Sequence, residues 1–387
     1  MNREIAQIKR ITCSPFFTNG KKFGVLKLFA AAVISCLICS AAVMADDDDR
    51  PFLPGPVRVV STVPANGDGN PYGVAFVPPY FPSGGTINPG DVLVSNFNNA
   101  PTTTGGNLQG TGTTIVDVPA NAPETLFFQS TTPTGLTTAL NVLQRGFVLV
   151  GNFPSTDGTL GTATPGSILV IDKNGNLVST YTDASVQGPW DAALFDEGGK
   201  ALYFVANGLN GTIVRYDLDV DPTGVTFKHP TVIASGYLHA ADAVTFVDAP
   251  TGLVYDPYKD VLYVASSLDN AVYVVRDAGD RKHDGGVGTV IYKDPVHLHG
   301  ALGLAMAPNG HLLVTNNDSP TINADPNQPS ELVEFTVGGE FVKEISLDPT
   351  PGGSFGLAVE LLGKKAKLAA VDDSVNLFLI WTLNSHE

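Results

Sequence analysis

The chain of 387 residues has three cysteines, Cys13, Cys36 and Cys39, and none beyond residue 39. Everything downstream therefore folds without a disulfide, a cysteine-bound metal or a thiol nucleophile. Charge is scarce, 16% of residues, and one-sided: 22 Lys and Arg stand against 38 Asp and Glu, a net of −16. Such an acidic balance argues against nucleic acid and against anionic membrane surfaces as partners. The chain has no phosphate loop and no His-Glu-x-x-His, so the motifs of two large enzyme classes are missing. What it has in quantity is Gly (41) and Pro (28). That composition suits many short strands joined by tight turns and does not suit long surface helices.

Residues 1–45 read as a secretory leader. Arg3, Lys9, Arg10, Lys21, Lys22 and Lys27 form a basic n-region, Leu28 to Ala45 is apolar or small, and Val43-Met44-Ala45 offers small residues ahead of Asp46 to Asp49. Cleavage after Ala45 gives a secreted or periplasmic protein with 16 basic and 37 acidic residues, a net of −21. Two other readings stay open. The apolar run approaches the length of a membrane anchor, and Val33-Ile34-Ser35-Cys36 is a lipobox-like sequence. Residues 46–56 are an acidic, Pro-containing lead-in, and 57–387 form the folded domain.

The domain repeats itself. Ala301 to Asn317 shows the unit: a Gly, a short apolar strand, a turn at Pro308-Asn309-Gly310, and a second strand ending at Asn316. Pro fixes φ, and Asn and Gly accept positive φ, so this is a hairpin. Related units begin near Asn70, Leu136, Gly188, Thr251 and Phe355, with a period of about fifty residues. The last unit is one strand short, while Val57 to Val63 is a strand without a nearby partner. An all-β, six-bladed β-propeller of four-stranded blades, its last blade closed by the N-terminal strand, accounts for both. Thr231 to Asp248 is read as an outer strand plus a linker; a seventh copy there would change the count.

In such a ring the residues before each first strand and after each second strand share one rim. The strand-end positions are Asn96, Asn152, Asn207, Ser266, Asn316 and Asp372; Tyr72, Trp190, Asp191, His239, His297, His299 and Phe355 lead into first strands. The Asn and Asp set has two readings: turn-holding side chains, or a ring of oxygen ligands for Ca²⁺ or another divalent metal, with Asp318 beside it. His297 and His299, two apart, face the same way in extended backbone and are candidate catalytic residues or metal ligands. Tyr72, Trp190, Asp191 and Phe355 are candidate binding residues, although aromatics there also pack between blades. Asp217, Asp219 and Asp221 in DLDVDPTG read as a strand end and turn, because Pro222 stands where a Ca²⁺ loop needs Gly.

Gly-Leu-Ala at 303–305 and 356–358, Gly-Val-Ala at 73–75, Pro-Asn-Gly at 308–310 and the Leu/Val-x-Val-x-Asn strand ends resemble the NHL-repeat family and its gluconolactonase-like and streptogramin-lyase-like relatives, over about residues 57–383. The resemblance implies a six-bladed propeller, and in its gluconolactonase-like branch an acidic and Asn set holding a divalent ion, with a Glu leading into the first blade. Here that place reads Asn70-Pro71-Tyr72. Two functions follow as expectations. One is an exported, monomeric scaffold that binds a small molecule or a protein at the channel face. The other is a metal-dependent hydrolase or lyase, lactonase-like, with its ion at the channel mouth and His297 or His299 as ligand or general base.

Overall fold

A computed structural model describes residues 52–53, 58–101, 108–316, 330–348 and 353–384. The expected leader, its expected cleavage site and Cys36, nearly all of the lead-in, and Asp318 lie outside the described residues. The rest is all-β: six four-stranded antiparallel sheets, each in the order first, second, third, outer strand, form a closed ring. This is the six-bladed propeller expected. The Pro-Asn-Gly turn is as anticipated: Met306 pairs with Leu312, Gly310 has φ 82°, and its N–H donates to the Ala307 carbonyl at 3.0 Å.

The sixth blade consists of Ser354–Leu362, Lys365–Asp372 and Leu377–Asn384, completed by Arg58–Ser61. Arg58 pairs with Ile380 and Ser61 with Leu377. Backbone pairing thus joins the two ends of the ring, where a disulfide is impossible. Six buried apolar clusters fill the fold, several of them wedged between neighbouring blades, so burial is spread around the ring.

The blades meet closely at the first strands, Gly69–Phe76, Leu136–Leu143, Pro189–Asp196, Pro250–Asp256, Ala301–Met306 and Ser354–Leu362. Hydroxyls stitch them together: Ser95 Oγ donates to the Thr137 carbonyl at 2.8 Å, Thr137 to Pro189 at 2.7 Å, Thr251 to Leu302 at 2.6 Å and Thr315 to Phe355 at 2.6 Å. The approach also explains the repeated glycine. A Cβ on Gly356 would lie 1.9 Å from the Tyr72 carbonyl oxygen, and one on Gly303 2.4 Å from that of Phe355.

One departure from expectation matters for the site. Residues 231–248 are more than a strand and a linker. The third blade's outer strand ends at Ser235, and a separate two-stranded hairpin follows, Ala240–Asp242 with Phe246–Asp248.

Candidate functional site

The rim selected by the topology does gather Tyr72, Trp190 and Phe355, but not as an open surface. They stack into a plug together with Phe97, Phe153 and Phe246. Tyr72 lies flat on Phe355 (4.1 Å between centroids) and on Phe97 (4.6 Å), and Trp190 meets Phe97 edge-on at 5.3 Å. Phe246, from the extra hairpin, packs on Phe97 and Phe153 at 5.2 Å each and on Trp190 at 6.1 Å. All six rings are at most 2% exposed. The hairpin acts as a lid. It leaves the ring between the third and fourth blades and reaches back to the first, where Gln109 Nε2 donates to the Val244 carbonyl at 2.8 Å. Its turn is held by Asp242 Oδ1, which accepts the N–H groups of Val244 and Thr245. Phe246 takes φ 71°, a conformation that costs a bulky residue energy and persists where packing imposes it.

The Asn and Asp strand ends are committed to structure. Nδ2 of Asn96, Asn152 and Asn207 each donates to a hydroxyl at the start of the next strand, Thr114 (3.1 Å), Ser167 (2.6 Å) and Thr212 (3.0 Å). Asn207 Oδ1 accepts Gln187 N–H, and Asn316 spans His299 N–H and the His297 carbonyl. Asp372 accepts both the N–H and the hydroxyl of Ser374, and Ser266 donates to Asp269. The amide oxygen of Asn96 is buried without a partner, but one neutral oxygen is far from the about six to eight that Ca²⁺ takes. Among the described residues no three His, Cys, Asp or Glu side chains come together to hold a metal. The described part of the expected metal ring does not fit an ion.

The two histidines are separated by the backbone. Residues 295–297 form a turn, with Asp294 Oδ1 accepting Val296 N–H at 2.9 Å, so the strand alternation that would pair the rings is absent. His297 Nδ1 sits 2.6 Å from Asp294 Oδ2, and its ring stacks at 3.7 Å on Phe341, in the fifth blade's outer strand. His299 is 8% exposed and hands its N–H to Asn316. His239 Nδ1 lies 3.2 Å from the Tyr237 carbonyl. Asp217, Asp219 and Asp221 go separate ways, to His229, to Lys228 and to the Thr223 turn.

Behind the plug lies the channel. Its volume is about 430 Å³, and residues of all six first strands line it. Each first strand is paired on one side only, so free strand edges, with their N–H and C=O groups, form the wall. The lining runs to the last residues of these strands, Phe76 and Met306 among them. The channel is thus sealed at the rim the sequence singled out and opens on the opposite face. Its side chains are mostly apolar, with Thr138, Asn141, Tyr255 and Asp191 as the polar ones.

Asp191 is the member of the expected binding set that reaches this space. It follows Trp190 directly, at the sealed end. Its carboxylate accepts the Ala192 N–H at 2.6 Å. Burial pushes the carboxyl up to about 8, against the pull of that hydrogen bond. The folded state then holds a proton that the unfolded chain gives up near pH 4. Stability attributable to this group must fall as pH rises from about 4 to about 8 and level off above. Thermal melts across that range are expected to show a smaller loss for Asp191→Asn than for the native chain. Equal slopes would mean that the carboxyl is ordinary.

Sequence reasoning missed Phe97, Phe153 and Phe246. A signal existed for two: the strand-end Asn is followed by Phe at both 96–97 and 152–153. Nothing local marks Phe246.

No family model matches the sequence, and no curated protein matches it. Solved structures do. A calcium-binding regucalcin from Agrobacterium tumefaciens is 12% identical, with 86% of this chain and 98% of that one covered at a TM-score of 0.47. A proposed gluconolactonase is 12% identical, with 86% and 96% covered at 0.46. A proposed oxidoreductase (glucose dehydrogenase) from Thermus thermophilus is 14% identical, with 84% and 99% covered at 0.47.

Proposed function

We propose that the protein is an exported propeller that binds a small molecule in its blind channel and does not transform it. The observation that carries this reading is the aromatic lid: it turns a through-channel into a pocket with a floor, a mouth and a few placed polar groups, the common form of a ligand site. The volume is within the range of small-molecule pockets. The lining offers no nucleophile set beside a base. The leader supports export to the periplasm or the medium. The alternative, a metal-dependent hydrolase or lyase, rested on His297, His299 and the strand-end ring, and their geometry gives it no support.

Ala358 lines the channel and is half-buried there. Ala358→Phe is expected to fill the space. Fragments that raise the melting temperature of the native chain, or shift the fluorescence of Trp190 above the floor, are expected to lose their effect on the variant. Fragments that bind both proteins equally would place the ligand site elsewhere.

A further inference from the structure

We propose that the channel takes a small primary amine with an apolar tail, its ammonium group seated on Asp191 at the sealed end. The inference rests on the channel being the ligand site and names the ligand's chemistry.

The first argument is the break in the repeat. The position before the second apolar residue of the first strands is Gly73, Gly252, Gly303 and Gly356 in four blades. A Cβ there would strike the next blade: Gly73 against Leu140, Gly252 against the Leu302 carbonyl, Gly303 against that of Phe355 and Gly356 against that of Tyr72. By its pairing to the second strand, two residues beyond the Pro189–Asn207 pair, the third blade has Asp191 at this place. Four blades place the smallest residue there, the second has Thr138 by the same count from its Leu136–Asn152 pair, and the third alone has a carboxyl. Packing does not explain it, and even half-buried in the lining an acid with one hydrogen bond carries a desolvation cost.

The second argument is what surrounds it. The channel lining holds no Lys, Arg or His, so no cation of the protein's own answers the carboxyl. The side chains along the way to the mouth are mostly aliphatic, while the free strand edges make the accessible wall more polar than apolar, so the tail that fits is a short one. The free strand edges supply carbonyl oxygens for the N–H bonds of an ammonium that the carboxylate leaves over. The chain's net −16 draws cations toward the mouth and repels anionic ligands. The other titratable groups close by are the phenols of Tyr203 and Tyr255, both pushed well up by burial, so neither ionises near neutral pH.

The chemistry balances simply. In the free protein the carboxyl carries its proton at pH 7. When the ammonium arrives, that proton leaves to solvent, and a carboxylate–ammonium pair remains. Binding therefore releases close to one proton at pH 7 and strengthens as pH rises from 6 to 8.

Titration calorimetry of the full chain tests this with n-hexylamine, n-hexanol and hexanoate at pH 7, in phosphate and in a second buffer of different ionisation enthalpy. The amine is expected to bind about tenfold tighter than the alcohol, the order of a charge-assisted hydrogen bond, with proton release near one. Asp191→Asn keeps the size and the neutral form, so its fold is preserved. It should bring the amine down to the alcohol and abolish the proton release. Alcohol and amine binding alike, hexanoate binding tightest, or an amine indifferent to Asp191→Asn would overturn the amine inference while the channel reading stands. No binding of any of the three, or binding unaffected by Ala358→Phe, would overturn both.

Discussion

Replacing Trp190 with alanine is expected to cost about 3–5 kcal/mol of folding stability, the range for truncating a large buried aromatic. Trp190 is 1% exposed and touches Tyr72, Phe97, Phe153 and Phe246. These rings come from two other blades and from the lid. Its loss leaves a void at the junction, and the blades cannot close on it because their first strands are already in backbone contact at Gly73, Gly303 and Gly356. The lid should suffer most. Phe246 holds its positive φ only because the plug fixes its ring. Urea unfolding gives the total, and amide exchange of residues 240–248 gives the local share, expected to rise more than in any blade. A loss under about 1 kcal/mol, or a lid as protected as before, would show that the plug is loosely packed and the channel not sealed.

Glu334→Ala is expected to cost about 3–5 kcal/mol, because it leaves several buried donors without their acceptor at about 1–3 kcal/mol each. Glu334 is 0% exposed. Its carboxylate accepts Phe52 N–H at 2.9 and 2.8 Å, Leu53 N–H at 3.1 Å and Asn309 Nδ2 at 3.1 Å, and it lies 2.7 Å from His311 Nδ1. The alanine leaves two backbone N–H groups and a buried imidazole without their acceptor. Lys343 Nζ holds the Leu53 carbonyl at 2.7 Å, and Phe52 and Leu53 belong to the apolar cluster with Trp381 and Leu379. Glu334 is thus the clasp that fixes the chain just before its closing strand. Removing residues up to Leu53 should cost less in the Glu334→Ala background than in the native one, because the two changes break the same contact. Fully additive costs would mean that the clasp and the segment act independently.

These contacts show where sequence reasoning reached and where it stopped. The Asn strand ends were read two ways, as turn-holding residues or as ion ligands; at Asn207 the partner is local, with Thr212 five residues on. The histidine pair was misjudged, although Asp294-Pro295 is itself a turn signal just before His297. The extended backbone that the argument required was never available. Asp191 and Trp190 were named together as one rim, and their neighbours divided them, one into the plug and one into the channel.

The amino-acid sequence by itself determined the ring. Turn residues and two-residue periodicity act within a few positions, and their repetition specified six blades and the missing strand that Arg58–Ser61 supplies. Only the tertiary structure decided which end of the channel is open. That depended on a short hairpin crossing from the third blade to rest Phe246 on Phe97, residues 149 positions apart in the sequence. It also depended on Glu334 meeting Phe52 across 282 positions. Contacts at such separation are selected by the packing of the whole ring, and no local pattern in the chain encodes them.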